Sequence, residues 1–408
     1  MKDLLKKQPK VLRTHIVSLA KEIAKSNGRL LAVGGVVRDS LLSKETYDAD
    51  LEVYNISPEK LGLLLEIKYT LQKVNLTGKF FGVYKIKLPK GCSLDIAVAR
   101  TEQKTGSGHK NFSVQHTSLT YEESFKRRDF TINAIGYDPL TQELVDPFSG
   151  QTDLKKKILR AVNAKTFVED PLRVYRAFQF AARFSLSPDP TTLGLLKKMI
   201  RNGELATLPS ERITEEWRKL LLSPHPSRGL TLMSEVKLGA WQKTYELADQ
   251  AAKIPHHDPT LVLAAVIYEL KSPDEFLRTL NFGQVSSAAL HLVSARKKLT
   301  AHLQSKEKYN AWRIYFRDSL PADCKTALLF AKITGLRTTK VNLPKDPASP
   351  LVTGGELLRH FPSLTPGPSL GMLIKKIERL RDEGIVYTKK DALKKIREFL
   401  HDETELSV

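Results

Sequence analysis

In the N-terminal third of the chain, short apolar runs alternate with segments of helical spacing. Leu30 to Val33 is an apolar run that stops at Gly34-Gly35, and the stretch VVRDSLLSK follows with the spacing of a helix. Asp48 to Tyr54 (DADLEVY) alternates polar and apolar residues with period two, as a half-buried strand does. Phe81–Leu88 (FGVYKIKL) and Leu94–Val98 (LDIAV) predict two more strands. Thr101 to Asn111 (TEQKTGSGHKN) is polar and contains glycine, which predicts a mobile loop. The first 26 residues are basic, without a continuous apolar stretch or a small-residue cleavage site, and predict an amphipathic helix of the mature protein.

From about Asp153 the pattern becomes helical. Asp170–Phe184 (DPLRVYRAFQFAARF) has helical spacing with a Pro at an early, tolerated position. Ser210–Leu222 opens on Ser210 as the expected N-cap, with acidic residues in its first turns. Pro259–Leu270, Gln284–Leu303 and Lys325–Ile333 predict further helices, and Gly367–Leu400 a last helical segment of mixed charge after the Pro-rich joint LPKDPASP. The fold class that follows is α+β: strands alternating with helices in the N-terminal third, then helices to the end.

Composition narrows the picture. A chain of 408 residues exceeds one ordinary core, so two to four units are expected. At 41% hydrophobic and 27% charged residues it is a folding composition, not a disordered one. Cys92 and Cys324 lie far apart, which excludes a disulfide framework and a Cys-rich zinc site. The longest apolar stretches, such as Leu261–Ile267, are too short to span a membrane, so no membrane partner is expected. A formal net charge of +20 suits a polyanionic partner, although charge alone equally serves solubility.

Four constellations carry candidate chemistry. Gly34-Gly35, between a strand and a helix, lets backbone approach a phosphate, and Arg38 one turn on can add a forked guanidinium. Asp48 and Asp50, at i and i+2 on a strand, point to one face, where two carboxylates repel unless a divalent cation such as Mg2+ lies between them. An adjacent strand carrying Asp95 would complete a two-metal site. In RRDFTINAI, Arg127, Arg128 and Asn133 stand in an apolar run and need partners, in either an ion-paired joint or a nucleotide contact. In EDPLRVYR, Asp170, Arg173 and Arg176 lie along one helix face, where an intrahelical salt bridge is the plain alternative.

Taken in order, GGVVRD, DAD, RRDFTINAI and EDPLRVYRAFQFAARF resemble the CCA-adding tRNA nucleotidyltransferases of the bacterial/eukaryotic class, a family that includes bacterial poly(A) polymerases. The match covers roughly the first 225 residues, including GKFFGVYKIKL, ARTEQKTGSGH and SERITEEWRKLL; the TGSGH and DLEVY variants look like the CCA-adding branch. Further on, PGPSLGMLIKKIERLRDEGIVYTKKDAL looks like the family's C-terminal helical segment. The resemblance implies an α+β fold with a small nucleotidyltransferase-type mixed-sheet head (1–152), a helical neck that reads the base (153–225), a helical body (226–300) and a helical tRNA-binding tail (301–408). It implies a triphosphate loop at Gly34, Gly35 and Arg38, with Asp39 structural, metal ligands at Asp48 and Asp50, and Asp95 as the third carboxylate. Arg100 and Arg128 become nucleotide contacts, with Arg127 and Asn133 in support, and the loop Thr105–His109 becomes the candidate switch from C to A.

The same resemblance assigns base reading to Asp170 and Arg173, with Arg176 one turn on. A carboxylate accepts from the amino group of cytosine or adenine, and a guanidinium donates to the ring acceptors. Guanine and uracil present a carbonyl oxygen to the carboxylate instead, a mismatch worth about 1–3 kcal/mol. The sequence departs from the family at Ala49, Ser43 and Gln179, none of which removes a catalytic group. His256, His257 and Asp258 lie near the place of a phosphohydrolase domain found in some relatives, but Tyr268-Glu269 stands where a His-Asp doublet belongs, so no hydrolase activity is expected.

The implied partners are tRNA, held by its acceptor and T arms, together with CTP and ATP, and the implied place is the cytoplasm. Residues 296–345 carry a net charge of +9 with aromatics interleaved, and Lys297, Lys298, Lys306, Lys308, Arg313 and Arg317 are the candidate phosphate contacts. Trp312 and Phe316, four apart, read as a core-facing pair. Rival readings are a poly(A) polymerase, a CC-only or A-only enzyme, and an inactive RNA-binding relative.

Overall fold

The computed structural model describes residues 3–69, 74–78, 83–99, 101–104, 112–115, 119–239, 241, 244–255, 258–280, 282–304, 311–339, 341 and 349–405. These form two compact units, Met1–Leu208 with Leu232–Gly239, and Pro209–Thr231 with Ala240–Val408.

The first unit opens with helix α1 (Lys10–Lys25), whose Leu12, Ile16, Leu19 and Ile23 recur at helical spacing and are fully buried. Then come β1 (Arg29–Val33), α2 (Gly35–Leu41), β2 (Asp48–Tyr54), α3 (Pro58–Lys68), β3 (Val74–Gly78), β4 (Val83–Lys87) and β5 (Ser93–Val98). Strands β6 (Thr101–Lys104) and β7 (Phe112–Gln115) pair as an antiparallel ribbon, so the polar stretch expected to be a loop holds a strand at its start. Helix α4 (Tyr121–Phe125), β8 (Gly136–Tyr137), β9 (Leu144–Val145) and α5 (Gly150–Lys156) complete the head.

The sheet has seven strands in the order β3-β4-β5-β2-β1-β8-β9. It is mixed: β2 and β5 run parallel, while β1–β2, β4–β5, β3–β4, β1–β8 and β8–β9 are antiparallel. The apolar alternates of β2 and β5 (Ala49, Leu51, Val53; Leu94, Ile96, Val98) join the core beside α1, and their polar alternates keep the other face.

Helices then take over: β10 (Ile158–Leu159), α6 (Ala164–Phe167), α7 (Leu172–Phe184), β11 (Ser187–Pro188), which pairs in parallel with β10, and α8 (Pro190–Arg201). In α7, Val174, Ala177, Phe178, Ala181 and Ala182 are buried, which anchors its arginine-bearing face.

The second unit is all-helical: α9 (Ser210–Leu221), α10 (Pro226–Glu235, shared with the first unit), α11 (Tyr245–Ala252), α12 (Pro259–Ile267), α13 (Pro273–Arg278), α14 (Gln284–Gln304), α15 (Ala311–Asp318), α16 (Cys324–Ile333), α17 (Gly354–His360), α18 (Pro368–Asp382) and α19 (Lys389–Glu405). Helix α12 is buried from Thr260 through Ile267 at its centre. One expectation is corrected here. Pro209, extended at ψ 139°, is the N-cap of α9, so Ser210 is its first turn and does not cap. The last segment is two helices broken by Gly384 at φ +72°, a left-handed turn that continues no helix. Their core is Leu357, Ile377, Val386, Ala392 and Ile396. Among the described residues no helix is long and apolar enough to cross a membrane.

Candidate active site

The site assembles at the ends of β1, β2 and β5. Parallel pairing puts Asp50 opposite Asp95 and Asp48 opposite Ser93. The third carboxylate therefore lies beside the pair, as the adjacent-strand argument required. Ser93 Oγ donates to Asp48 Oδ1 at 2.5 Å, and Lys85, the register partner of Asp95 on β4, donates to its Oδ2 at 3.1 Å. Asp95 Oδ1 is buried without a hydrogen-bond partner in the protein. Asp50 is open to solvent at the mouth of the site; partial desolvation by the surrounding protein raises its pKa, Arg128 opposes this, and Asp95 and Asp48 add to it. Among the described residues no three His, Cys, Asp or Glu side chains form a metal cage by themselves.

Gly34 turns the chain from β1 into α2 at φ +68°. A Cβ there would meet Arg128 Nη1 at 3.1 Å and Asp50 Oδ2 at 3.5 Å, so the loop passes directly by both groups. Arg38 departs from the expectation of a guanidinium open to phosphate. It is 4% exposed, donates from Nε to Asp39 Oδ1 at 2.9 Å and from Nη1 to Asn133 Oδ1 at 2.5 Å, and lies over the Phe184 ring at 4.5 Å. Asp39 also accepts from Arg183 at 3.2 Å.

The RRD segment is an ion-paired joint. Arg127 Nη2 and Arg128 Nη2 donate to Glu52 at 2.7 and 3.2 Å. Burial pushes the Glu52 carboxyl up, but the guanidinia of Arg128 and Arg127 outweigh it and hold it down to about 2. Arg128 Nη1 reaches the Asn133 carbonyl at 3.3 Å, while its buried Nε has no partner in the protein. Asn133 Nδ2 donates to Asp129 at 3.0 Å. Asp129 also accepts from the Phe130 amide and from Arg176, which together outweigh its burial and keep its pKa low.

Asp170 Oδ1 accepts from the Leu172 amide at the start of α7. Arg173 donates to the carbonyls of Thr166 (2.8 Å) and Arg127 (2.5 Å), and burial lowers its pKa. Gln179 is buried further along α7, with Oε1 unpartnered. The structure thus brings together Gly34, Arg38, Asp48, Asp50, Asp95, Arg128, Asn133, Arg173 and Arg176 in one unit. Arg100, the loop Thr105–His109, His256, His257, Lys306 and Lys308 lie outside the described residues. Asp258 caps α12 through the Thr260 amide, as a polar loop entering a helix does.

Of the basic candidates, Lys297 and Lys298 are exposed on α14, Lys298 at 3.4 Å from Asp318. Arg313 and Arg317 are committed elsewhere: Arg313 pairs with Glu378 and Asp382, and Arg317 with Asp382 and Asp318. Arg296 is buried on Thr300 and Thr334. Sequence reasoning missed Glu52, Ser93, Lys85 and Arg183. For Glu52 the signal was present: it continues the i, i+2 row of Asp48 and Asp50, opposite two arginines in need of partners.

Residues 30–160 match the family described as the poly(A) polymerase head domain, and residues 185–241 match a probable RNA and SrmB-binding site of polymerase A. The multifunctional CCA protein of Stenotrophomonas maltophilia strain K279a is 32% identical over 326 residues, which are 70% of this chain and 77% of that protein. The protein of the same description from Aliivibrio salmonicida is 40% identical over 211 residues, and there the chain spans about half of the relative's length (49%). In fold, a CCA-adding enzyme in complex with CTP matches at a TM-score of 0.69 and 22% identity, covering 98% of each chain. The Thermotoga maritima CCA-adding enzyme complexed with tRNA matches at 0.66 and 22%, again over 98% of each.

Proposed function

The chain belongs to the family of CCA-adding tRNA nucleotidyltransferases, and from that membership we propose that it adds CMP, CMP and then AMP to the 3′ end of tRNA without a nucleic-acid template. CTP and ATP are the donors and pyrophosphate leaves. The observation that carries this reading is the register pairing of Asp50 with Asp95, with the Gly34 turn and Arg128 beside Asp50. A phosphate-approaching turn, a carboxylate cluster and a guanidinium in one place suit phosphoryl chemistry on a triphosphate.

CCA-adding nucleotidyltransferases use divalent metal ions. We assign two Mg2+, held by Asp48 and Asp50. The carboxylates fit a cation: Asp95 Oδ1 is buried and unpartnered, and desolvation, with Asp95 and Asp48 adding to it, raises the pKa of Asp50. Mg2+ usually takes one or two carboxylates plus substrate phosphates, which agrees with a cluster that is no closed cage. When bound, the metal supplies charge stabilisation at the α-phosphate and a more acidic 3′-hydroxyl.

The chain's own residues do the rest. Asp95 accepts the proton of the tRNA 3′-hydroxyl as its oxygen bonds to the α-phosphorus and the bond to the β-phosphate bridge breaks. Gly34, Gly35, Arg128 and Arg100 hold the triphosphate and sugar, and Arg38 with Asn133 acts from behind by fixing the loop. Asp170 and Arg173 read the base, with Arg173 steadied by two backbone carbonyls and Arg176 tied to the head through Asp129. Lys297 and Lys298, with Lys306 and Lys308, meet acceptor- and T-arm phosphates. In this reading the head is 1–152, the neck 153–225, the body 226–300 and the tail 301–408, and the enzyme works in the cytoplasm.

The test is incubation with Mg2+ and tRNA ending at the discriminator base, with CTP and ATP singly and together, followed by sequencing of the 3′ ends. CCA is expected. CC alone, A alone or a long A tail would assign one of the rival enzymes, and no extension would mean an inactive RNA-binding relative. Asp48→Ala should abolish incorporation and spare tRNA binding.

A further inference from the structure

We propose that Glu52 is a positioning residue for nucleotide binding, fixing Arg128 beside the strand of Asp48 and Asp50 and, through Arg127, the backbone on which Arg173 rests.

Glu52 shares a strand face with Asp48 and Asp50, but it is 1% exposed, so it belongs to the wall of the site and not to its opening. Four side chains surround its carboxylate. Oε1 accepts from Arg127 Nη2 and Ser124 Oγ, both at 2.7 Å. Oε2 accepts from Arg128 Nη2 at 3.2 Å and lies 3.2 Å from the Tyr54 hydroxyl.

One guanidinium would neutralise a buried carboxylate, yet two are present, which leaves the cluster a net positive charge. The surplus sits next to the catalytic loop: Arg128 Nη1 is the atom nearest to a Cβ built on Gly34, and Asp50 Oδ2 is next. With one nitrogen on Glu52 and another on the Asn133 carbonyl, the guanidinium plane is fixed, while the buried Nε still lacks an acceptor. The face of the guanidinium lies over the Phe125 ring at 5.1 Å, which adds to its fixed orientation. The second branch runs through backbone. Arg127, held by its side chain on Glu52, offers its carbonyl to Arg173 Nη2 at 2.5 Å. One carboxylate thus orients the arginine beside the metal strand and supports the arginine assigned to the base edge.

This inference rests on the proposed nucleotide contact of Arg128, and the experiment separates the two. KM and kcat for CTP and ATP are measured at saturating tRNA for the wild type, Glu52→Gln, Glu52→Asp, Arg128→Gln and the Glu52→Gln/Arg128→Gln double variant, with melting temperatures alongside. Glu52→Gln is expected to raise KM for both nucleotides about tenfold with kcat within about threefold, Glu52→Asp to recover most of that, and the double variant to be no worse than Arg128→Gln. A structural role alone would lower the melting temperature and leave the ratio of KM to kcat effects unmoved. If Arg128→Gln raises KM while Glu52→Gln stays within about twofold of wild type, or if the two effects multiply, the role of Glu52 is overturned and the nucleotide contact stands. If Arg128→Gln leaves KM unchanged, both fall. Should Glu52→Gln not fold by circular dichroism, Ser124→Ala removes one of the four groups, and a KM increase of about two- to threefold is then expected, with no change overturning the proposal.

Discussion

Arg176 Nε donates to Asp129 Oδ2 at 2.6 Å, tying helix α7 to the RRD segment through a carboxylate that is almost fully buried. The same Asp129 holds Asn133, which in turn holds Arg38, and Arg38 shares Asp39 with Arg183 on α7. The Gly34 turn with its helix α2, the RRD segment and helix α7 are therefore joined by one closed polar chain. Arg176 keeps part of its hydration, so removing Asp129 costs less than the full penalty of a buried pair, about 1–3 kcal/mol. Asp129→Ala should lower the stability of the first unit by that order in urea titration. Asp129→Asn, which keeps an acceptor for the Phe130 amide, should lose less. Equal losses would mean that the charge on Asp129 contributes nothing.

Ser93 acts on Asp48 at closer range, through the hydrogen bond of 2.5 Å across the parallel register pair. A hydroxyl that orients a metal-binding carboxylate has effects of about 10–100-fold on metal affinity or rate. Ser93→Ala should raise the Mg2+ concentration needed for half-maximal rate by about tenfold, with tRNA affinity unchanged. An unchanged Mg2+ dependence would detach Asp48 from the metal.

Gly34 sits at φ +68°, ψ −122°, outside even the left-handed helical well, where an L side chain costs on the order of 1–3 kcal/mol. A methyl group there would also press on Arg128 Nη1 at 3.1 Å. Gly34→Ala should therefore raise the nucleotide KM by more than the stability loss explains, and a variant with reduced melting temperature but native KM would contradict the close approach.

Much of this site was legible in the sequence because its signals are local. Period-two alternation located β2, the Gly pair located the turn, and helical spacing located α7 with Arg173 and Arg176, although Asp170 lies just before the helix, which starts at Leu172. What escaped depends on distant partners. Arg38 reads as an exposed phosphate ligand until Asn133, 95 positions away, turns it inward. Glu52 reads as one more polar alternate until Arg127, 75 positions on, meets it. Strand β6 (TEQK) has no apolar alternation to announce it; its pairing with β7 is made across the strands and not within them. Arg313 and Arg317 belong to a basic, aromatic-rich segment that suggests RNA, but their acids stand more than 60 positions downstream on α18.

Those two arginines make a separable prediction. Arg317 pairs with Asp382 and Asp318, and Arg313 with Glu378 and Asp382, so both are spent on joining α15 to α18. Arg317→Ala should lower the melting temperature and leave the salt dependence of tRNA binding as it was. Lys297→Ala, on the exposed face of α14, should reduce the slope of log K against log salt by about one and leave the melting temperature unchanged. A reduced slope for Arg317→Ala would return that residue to the RNA-binding surface.

Glu52 also predicts a signature in acid. Its carboxyl is held down to about 2 in the folded chain, against the ordinary glutamate value of 4.5, so the folded state binds the proton less readily than the unfolded one. The stability this contributes is complete above the unfolded value and is lost as pH falls from about 4.5 toward 2. Other carboxylates titrate over the same range, but they do so equally in Glu52→Gln, and the difference between the two proteins isolates the one group. The gap in melting temperature between wild type and Glu52→Gln should be constant from neutral pH down to about 5.5, then narrow steadily as pH drops through 4.5. A gap that holds its full width at pH 3 would mean that Glu52 does not carry its charge on Arg127 and Arg128.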